Sequence, residues 1–117
     1  MEDYKCTIER YSSIDGNTSD SESMYAKLYI GKEFTVERKT GLMAGALKNS
    51  YVNKPLVVDF GSSDNSYKVV NYMKLEQGVG YGTNIYALTI EEFAETKNKP
   101  FLFLQNSKVF FGKCVHF

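Results

Sequence analysis

Histidine occurs once in this chain, as His116, and that scarcity removes most hydrolytic and metal chemistries. A Ser-His-Asp or Cys-His site would have to use it, and neither Cys6 nor Cys114 sits in a nucleophile signature. Cys114 and His116 are two positions apart, hence on one face of a strand, and Cys6 is the sole further soft ligand. A four-ligand zinc site cannot be assembled from that set, so no metal or cofactor is expected. The two cysteines lie 108 positions apart and form no C-x-x-C pair. They read as free buried thiols, neighbours only if the first and last strands pair. Arginine occurs only as Arg10 and Arg38, and 14 basic residues balance 14 acidic ones, for a net charge of zero. General nucleic-acid binding is disfavoured by that balance. No apolar run is long enough for a membrane span. The polar opening MEDYKCTIERYSS lacks the apolar stretch of a signal peptide, so the expected location is cytoplasmic.

Tyrosine (9) and phenylalanine (8) are abundant while tryptophan is absent. Together with plentiful Lys and Asn, this bias favours AT-rich codons and points to a low-GC bacterium or its phages and mobile elements. At 117 residues and 43% apolar content the chain is expected to form one domain, residues 1–117, with a core of its own.

Residues 3–11 alternate, with Tyr4, Cys6 and Ile8 on one face of a strand. SSIDGNTSDSES, residues 12–23, reads as a mobile surface loop rich in Ser and acid. Its Asp15, Asn17 and Ser19 mimic an EF-hand start, but Asp20 and Ala26 replace the required Gly and Glu, so calcium is not expected. Residues 24–38 suggest a hairpin turning at Gly31-Lys32-Glu33, with Ile30 opposite Phe34 and Leu28 opposite Val36. The spacing of Leu42, Met43, Ala46 and Leu47, capped by Thr40, predicts a short helix near 42–48. LVVDF (56–60) and YKVVNYMKL (67–75) read as strands of a hairpin, and TNIYAL (83–88) as another strand. Thr89 with Glu92 three residues on resembles a capping box and predicts a helix near 90–97. The hairpin 101–117 turns at Asn106-Ser107, pairing Leu104 with Val109 and Leu102 with Phe111 on one face. Phe101, Phe103 and Phe110 share the other face.

GVGYG, residues 78–82, is no phosphate loop: a Rossmann turn needs a different third spacing and an immediate helix, and a P-loop needs Gly-Lys-Ser/Thr. Its glycines fit a bulged connection between strands. If it binds, the candidate residues are Gly78, Gly80, Tyr81, Gly82, Thr83 and Asn84, with Tyr81 as the anchoring side chain. Glu91 and Glu92 fit a helix first turn better than a catalytic pair. Tyr67-Lys68 and Tyr72-Met73-Lys74 fit cross-strand packing better than a single-strand platform.

The expected fold is α+β: a mainly antiparallel sheet of six or seven strands with two short helices. The leading functional expectation is a non-catalytic binding protein that occupies a partner, such as an inhibitor or anti-defence factor. Alternatives are a small-ligand or nucleotide binder using the 78–84 loop, and an enzyme with an unrecognised carboxylate or lysine site. The apolar second face of the last hairpin predicts a homodimer through Phe101, Phe103 and Phe110.

Overall fold

In the computed structural model, which describes residues 1–13, 26–51, 53–73 and 84–117, the chain is a single antiparallel sheet. Eight strands form it: β1 (Tyr4–Ser13), β2 (Glu33–Val36), β3 (Met43–Gly45), β4 (Leu56–Phe60), β5 (Tyr67–Tyr72), β6 (Ile85–Ile90), β7 (Lys99–Gln105) and β8 (Lys108–His116). Their order is β3-β2-β1-β8-β7-β6-β5-β4, so the first and last long strands are central neighbours. The sheet curls into a half-barrel, with 53% strand and 4% helix among the described residues.

Alternation explains most of it. Tyr4, Cys6 and Ile8 of β1, Tyr67 and Val69 of β5, and Tyr86, Leu88 and Ile90 of β6 all point into one core. Aromatic rings bridge the curl there: Tyr4 lies 5.3 Å from Tyr67, and Phe34 meets Phe101 edge-on at 5.1 Å. Both geometries suit aromatic quadrupoles. At Gly112 of β8 the packing admits no side chain, since a Cβ would collide with the Thr7 carbonyl oxygen and lie 2.6 Å from the Phe101 ring. Opposite it, β1 bulges at Glu9 between Ile8 and Arg10.

The α+β expectation is overturned. Neither expected helix is present: Met43–Gly45 is a strand, and the chain leaves β6 into a turn at Glu91. Gly41 (φ +81°) and Gly45 (φ +117°) sit in left-handed conformations that cannot continue a right-handed helix. At the second site Thr89 and Ile90 are held in the ladder by β5 and β7, so the capping pattern has no helix to cap. The hairpin expected over 24–38 keeps only its second strand. Residues 26–29 form one helical turn, and Leu28 and Ile30 face outward. Ser12 and Ser13 belong to β1, and the rest of the expected 12–23 loop lies outside the described residues. The cysteines are not free: Cys6 and Cys114 face each other across β1 and β8 and form a fully buried disulfide.

The last hairpin has the expected register, Leu104 with Val109 and Leu102 with Phe111, around Asn106 at φ +58°. Its phenylalanine face, however, is the core. Phe101, Phe103 and Phe110 are 3%, 0% and 0% exposed, so they are closed to a second copy. A sheet curled on itself covers that face without help from helices.

The open edges are joined by asparagines. The buried Asn71 donates from Nδ2 to the carbonyls of Asn49 (2.7 Å) and Asn53 (2.8 Å). Asn49 in turn donates to the Gly41 carbonyl (2.8 Å) and accepts from the Met43 N–H (3.0 Å). Each amide satisfies backbone groups that the sheet ladder leaves unpaired at the gap.

Candidate functional site

Two places gather functional groups: a polar cluster at one end of the half-barrel and the outer face of the sheet. At the first, the turn after β6 places Glu92 beneath the start of β1 and the end of β8. Tyr4 donates its hydroxyl to Glu92 Oε1 at 2.6 Å. His116 Nε2 lies 3.0 Å from Glu92 Oε1, and its ring stacks on Tyr4 at 4.9 Å. Arg38 reaches in from the β2–β3 turn, with Nη2 4.0 Å from Glu92 Oε2 and its guanidinium 5.2 Å from the Tyr4 ring centroid. It also donates from Nη2 (2.9 Å) and Nε (3.1 Å) to the Phe60 carbonyl at the end of β4. Tyr67 donates to the Arg38 carbonyl at 2.8 Å.

Burial raises the Glu92 carboxyl, but the Tyr4 hydrogen bond and the His116 and Arg38 charges outweigh it and hold Glu92 below the usual carboxylate range. Tyr4 moves the other way: burial first, then its bond to the Glu92 carboxylate, pushes the phenol far above its ordinary value. Burial likewise raises Tyr67. A carboxylate–imidazole couple is half of a catalytic triad. Among the described residues no nucleophile completes it: the nearby hydroxyl, that of Tyr4, is a firmly protonated phenol already donating to the carboxylate. Cys114, two residues from His116, is locked in the disulfide. Among the described residues no group of three or more Cys, His, Asp and Glu could hold a metal. The cluster is a clasp that ties β1, β4, β8 and two turns together.

Sequence reasoning placed Cys114 and His116 on one face, and both point inward. It missed Glu92 as the neighbour of His116 because the capping pattern offered a local explanation for that residue. Of the candidate loop residues, Gly78, Gly80, Tyr81, Gly82 and Thr83 lie outside the described residues. Asn84 alone is described, at φ +50°, with its carbonyl accepting the Met73 N–H at 2.9 Å.

The outer face differs between the two halves of the sheet. Over β1, β2 and β8 it is charged and cross-paired, with Lys5 3.8 Å from Glu33 and Lys113 3.2 Å from Glu9. From β4 to β8 the register instead aligns Leu56, Val70, Ala87, Leu104 and Val109 in one row across five strands. Tyr72 with Ile85 extends the face on one side, and Leu102 with Phe111 on the other. Leu56, Tyr72 and Val70 are 65%, 57% and 38% exposed. The row of Leu102 and Phe111 also carries charge among the described residues: Asp59 and Lys68 pair at 3.5 Å, and Arg10 lies over Phe111 at 4.8 Å. Beside Leu102 and Phe111, a cleft of about 320 Å³ opens between Arg10 and Glu91 above the β1 bulge. An antiparallel sheet normally turns its polar side to water. This half does not.

The chain matches no protein-family model, no curated protein and no solved structure. Among the described residues no helix is long and apolar enough to cross a membrane.

Proposed function

We propose that this chain is a non-catalytic binding protein that acts by occupying another protein chain through the outer face of β4–β8. The observation that supports it is the aliphatic row from Leu56 to Val109, laid across five strands where the sheet faces outward. Leu56 and Val70 of that row are exposed and Ala87, Leu104 and Val109 half-buried, and apolar surface rimmed by charge marks a docking site. The ionisable groups that come together, Tyr4, Arg38, Glu92 and His116, use their hydrogen bonds on one another and on backbone carbonyls, which suits a clasp better than catalysis. A small inhibitor or anti-defence factor works in this way, by covering a surface that its target needs. The buried disulfide supports an oxidising compartment over the cytoplasm, where thiols are kept reduced.

The test is comparative affinity capture with tagged wild type and tagged Val70→Lys. A stoichiometric protein retained by the wild type and lost from the folded variant is the expected result. Equal retention by both would remove the outer face from the binding surface.

A further inference from the structure

We propose that His116 is a proton-operated latch: the protonated ring captures the Glu2 carboxylate and fastens the residues ahead of β1 to the end of β8. The surroundings of the two ring nitrogens carry the inference.

Nε2 lies 3.0 Å from Glu92 Oε1 and 3.2 Å from Oε2. A carboxylate only accepts hydrogen bonds, so a neutral ring must carry its one hydrogen on Nε2. Nδ1 is then a bare lone pair. It is shut off from water and has no hydrogen-bond partner among the described residues. The polar group it faces is the Glu2 carboxylate, whose Oε2 is 3.7 Å away. Two acceptors thus flank a ring that, when neutral, has a single hydrogen to give. Only the imidazolium donates from both nitrogens, and closing the remaining gap takes about 1 Å of movement. Glu2 is free to make it, being 70% exposed and bound to nothing else among the described residues.

The other polar groups around the ring are committed whatever its state. Arg38 holds the Phe60 carbonyl and stands 4.0 Å from Glu92 Oε2, while its backbone N–H donates to Asp3 Oδ1 at 2.9 Å. Lys99 of β7 donates from Nζ to the Glu92 and Ala94 carbonyls. The Tyr4 phenol, on whose ring His116 stacks, gives its hydrogen to Glu92, and the Tyr67 phenol gives its own to the Arg38 carbonyl. Glu92 is held below the usual carboxylate range, so Nε2 keeps an anionic partner at neutral pH and in mild acid. Glu2 is therefore the group whose contact follows the charge of the ring. Imidazole is the side chain that changes charge near neutral pH, which makes the contact reversible under ordinary conditions. What the latch steadies is a backbone bond: the Phe117 N–H donates to the Asp3 carbonyl at 3.1 Å, joining the residue after β8 to the one before β1.

The chain has one histidine, so long-range 1H–15N spectra of the labelled, oxidised protein read the ring nitrogens of His116 without overlap. Between pH 8 and pH 5 the expected course is a neutral ring with its hydrogen on Nε2, then a ring protonated at both nitrogens. Over the same change, protection of the Phe117 amide, corrected for the intrinsic pH dependence of exchange, should rise by about 3-fold, the scale of a partly exposed ion pair. Glu2→Gln, at an exposed position, should keep the fold and the protonation of the ring but lose that gain. A neutral ring with its hydrogen on Nδ1 overturns the proposal, as does a ring that keeps one charge state throughout. Phe117 protection that ignores the state of the ring, or that rises equally in Glu2→Gln, overturns it too.

Discussion

Removing the Cys6–Cys114 disulfide is the perturbation with the largest expected effect. The two half-cystines are 108 residues apart, so the bond closes nearly the whole chain into one loop. The loop-entropy relation gives about 5 kcal/mol for a loop of this length at 25 °C. Domains of this size have total stabilities of roughly 6–18 kcal/mol, so the bond accounts for a quarter or more of the whole. The structure also says how the two single variants should combine. Either Cys6→Ala or Cys114→Ala abolishes the same cross-link, so each should lose most of the 5 kcal/mol, and the double variant scarcely more. Two independent buried thiols would behave differently, each losing about a kcal/mol or two, with the losses adding. Urea titration of the wild type, both singles and the double closes this cycle. With a slope near 2 kcal/mol/M, the expected fall in midpoint is roughly 2.5 M for all three variants. Intact mass of the native protein should show the loss of two hydrogens relative to the reduced chain. Small, additive midpoint shifts together with a fully reduced native mass would refute the cross-link and restore the free-thiol expectation.

Three further outcomes follow from the clasp and the core. Glu92 is held below the usual carboxylate range, so its contribution is complete above the unfolded carboxyl value of about 4.5 and is lost as pH falls through the lower folded value. Glu92→Gln should therefore lower stability by about 1–2 kcal/mol at neutral pH and flatten the acid limb of a melting-temperature profile; an unchanged acid limb would exclude the clasp. Gly112→Ala should cost several kcal/mol, read by thermal denaturation, because its methyl group meets the Thr7 backbone and the Phe101 ring; a melting temperature within a degree or two of wild type would be incompatible with that packing. Asn71→Ala removes the donor to the Asn49 and Asn53 carbonyls and should cost about 2–3 kcal/mol, with faster exchange of the Met43 amide that Asn49 holds; unchanged exchange would remove the asparagine bridge.

Several strands were readable from local pattern alone. The alternation in residues 3–11, the LVVDF and YKVV runs and the Asn106-Ser107 turn each carry their own signal. Period two and a tight turn are properties of neighbours in the chain, which is why the register Leu104–Val109 and Leu102–Phe111 could be written down without coordinates. The two expected helices failed for the same locality. Leu42, Met43, Ala46 and Leu47 fit a helical spacing, but Gly41 and Gly45 take left-handed conformations demanded by a turn packed on Val69 and by the Phe34 backbone. Thr89 and Glu92 fit a cap, but Thr89 is claimed by a ladder and Glu92 by Tyr4 and His116, which are 88 and 24 positions away.

The candidate surface was half legible. Both faces of the last hairpin are apolar in the sequence, and that remains true of the fold. Which face is the interior depends on the curl of eight strands, and the curl puts Phe101, Phe103 and Phe110 inside and Leu102, Leu104 and Val109 outside. A strand's alternation says that two faces differ without saying which one the rest of the chain covers. The disulfide is of the same kind: strand patterns at Tyr4–Ser13 and Lys108–His116 are local, but their pairing, and hence the bond between Cys6 and Cys114, exists only once the ends of the chain meet in the middle of the sheet.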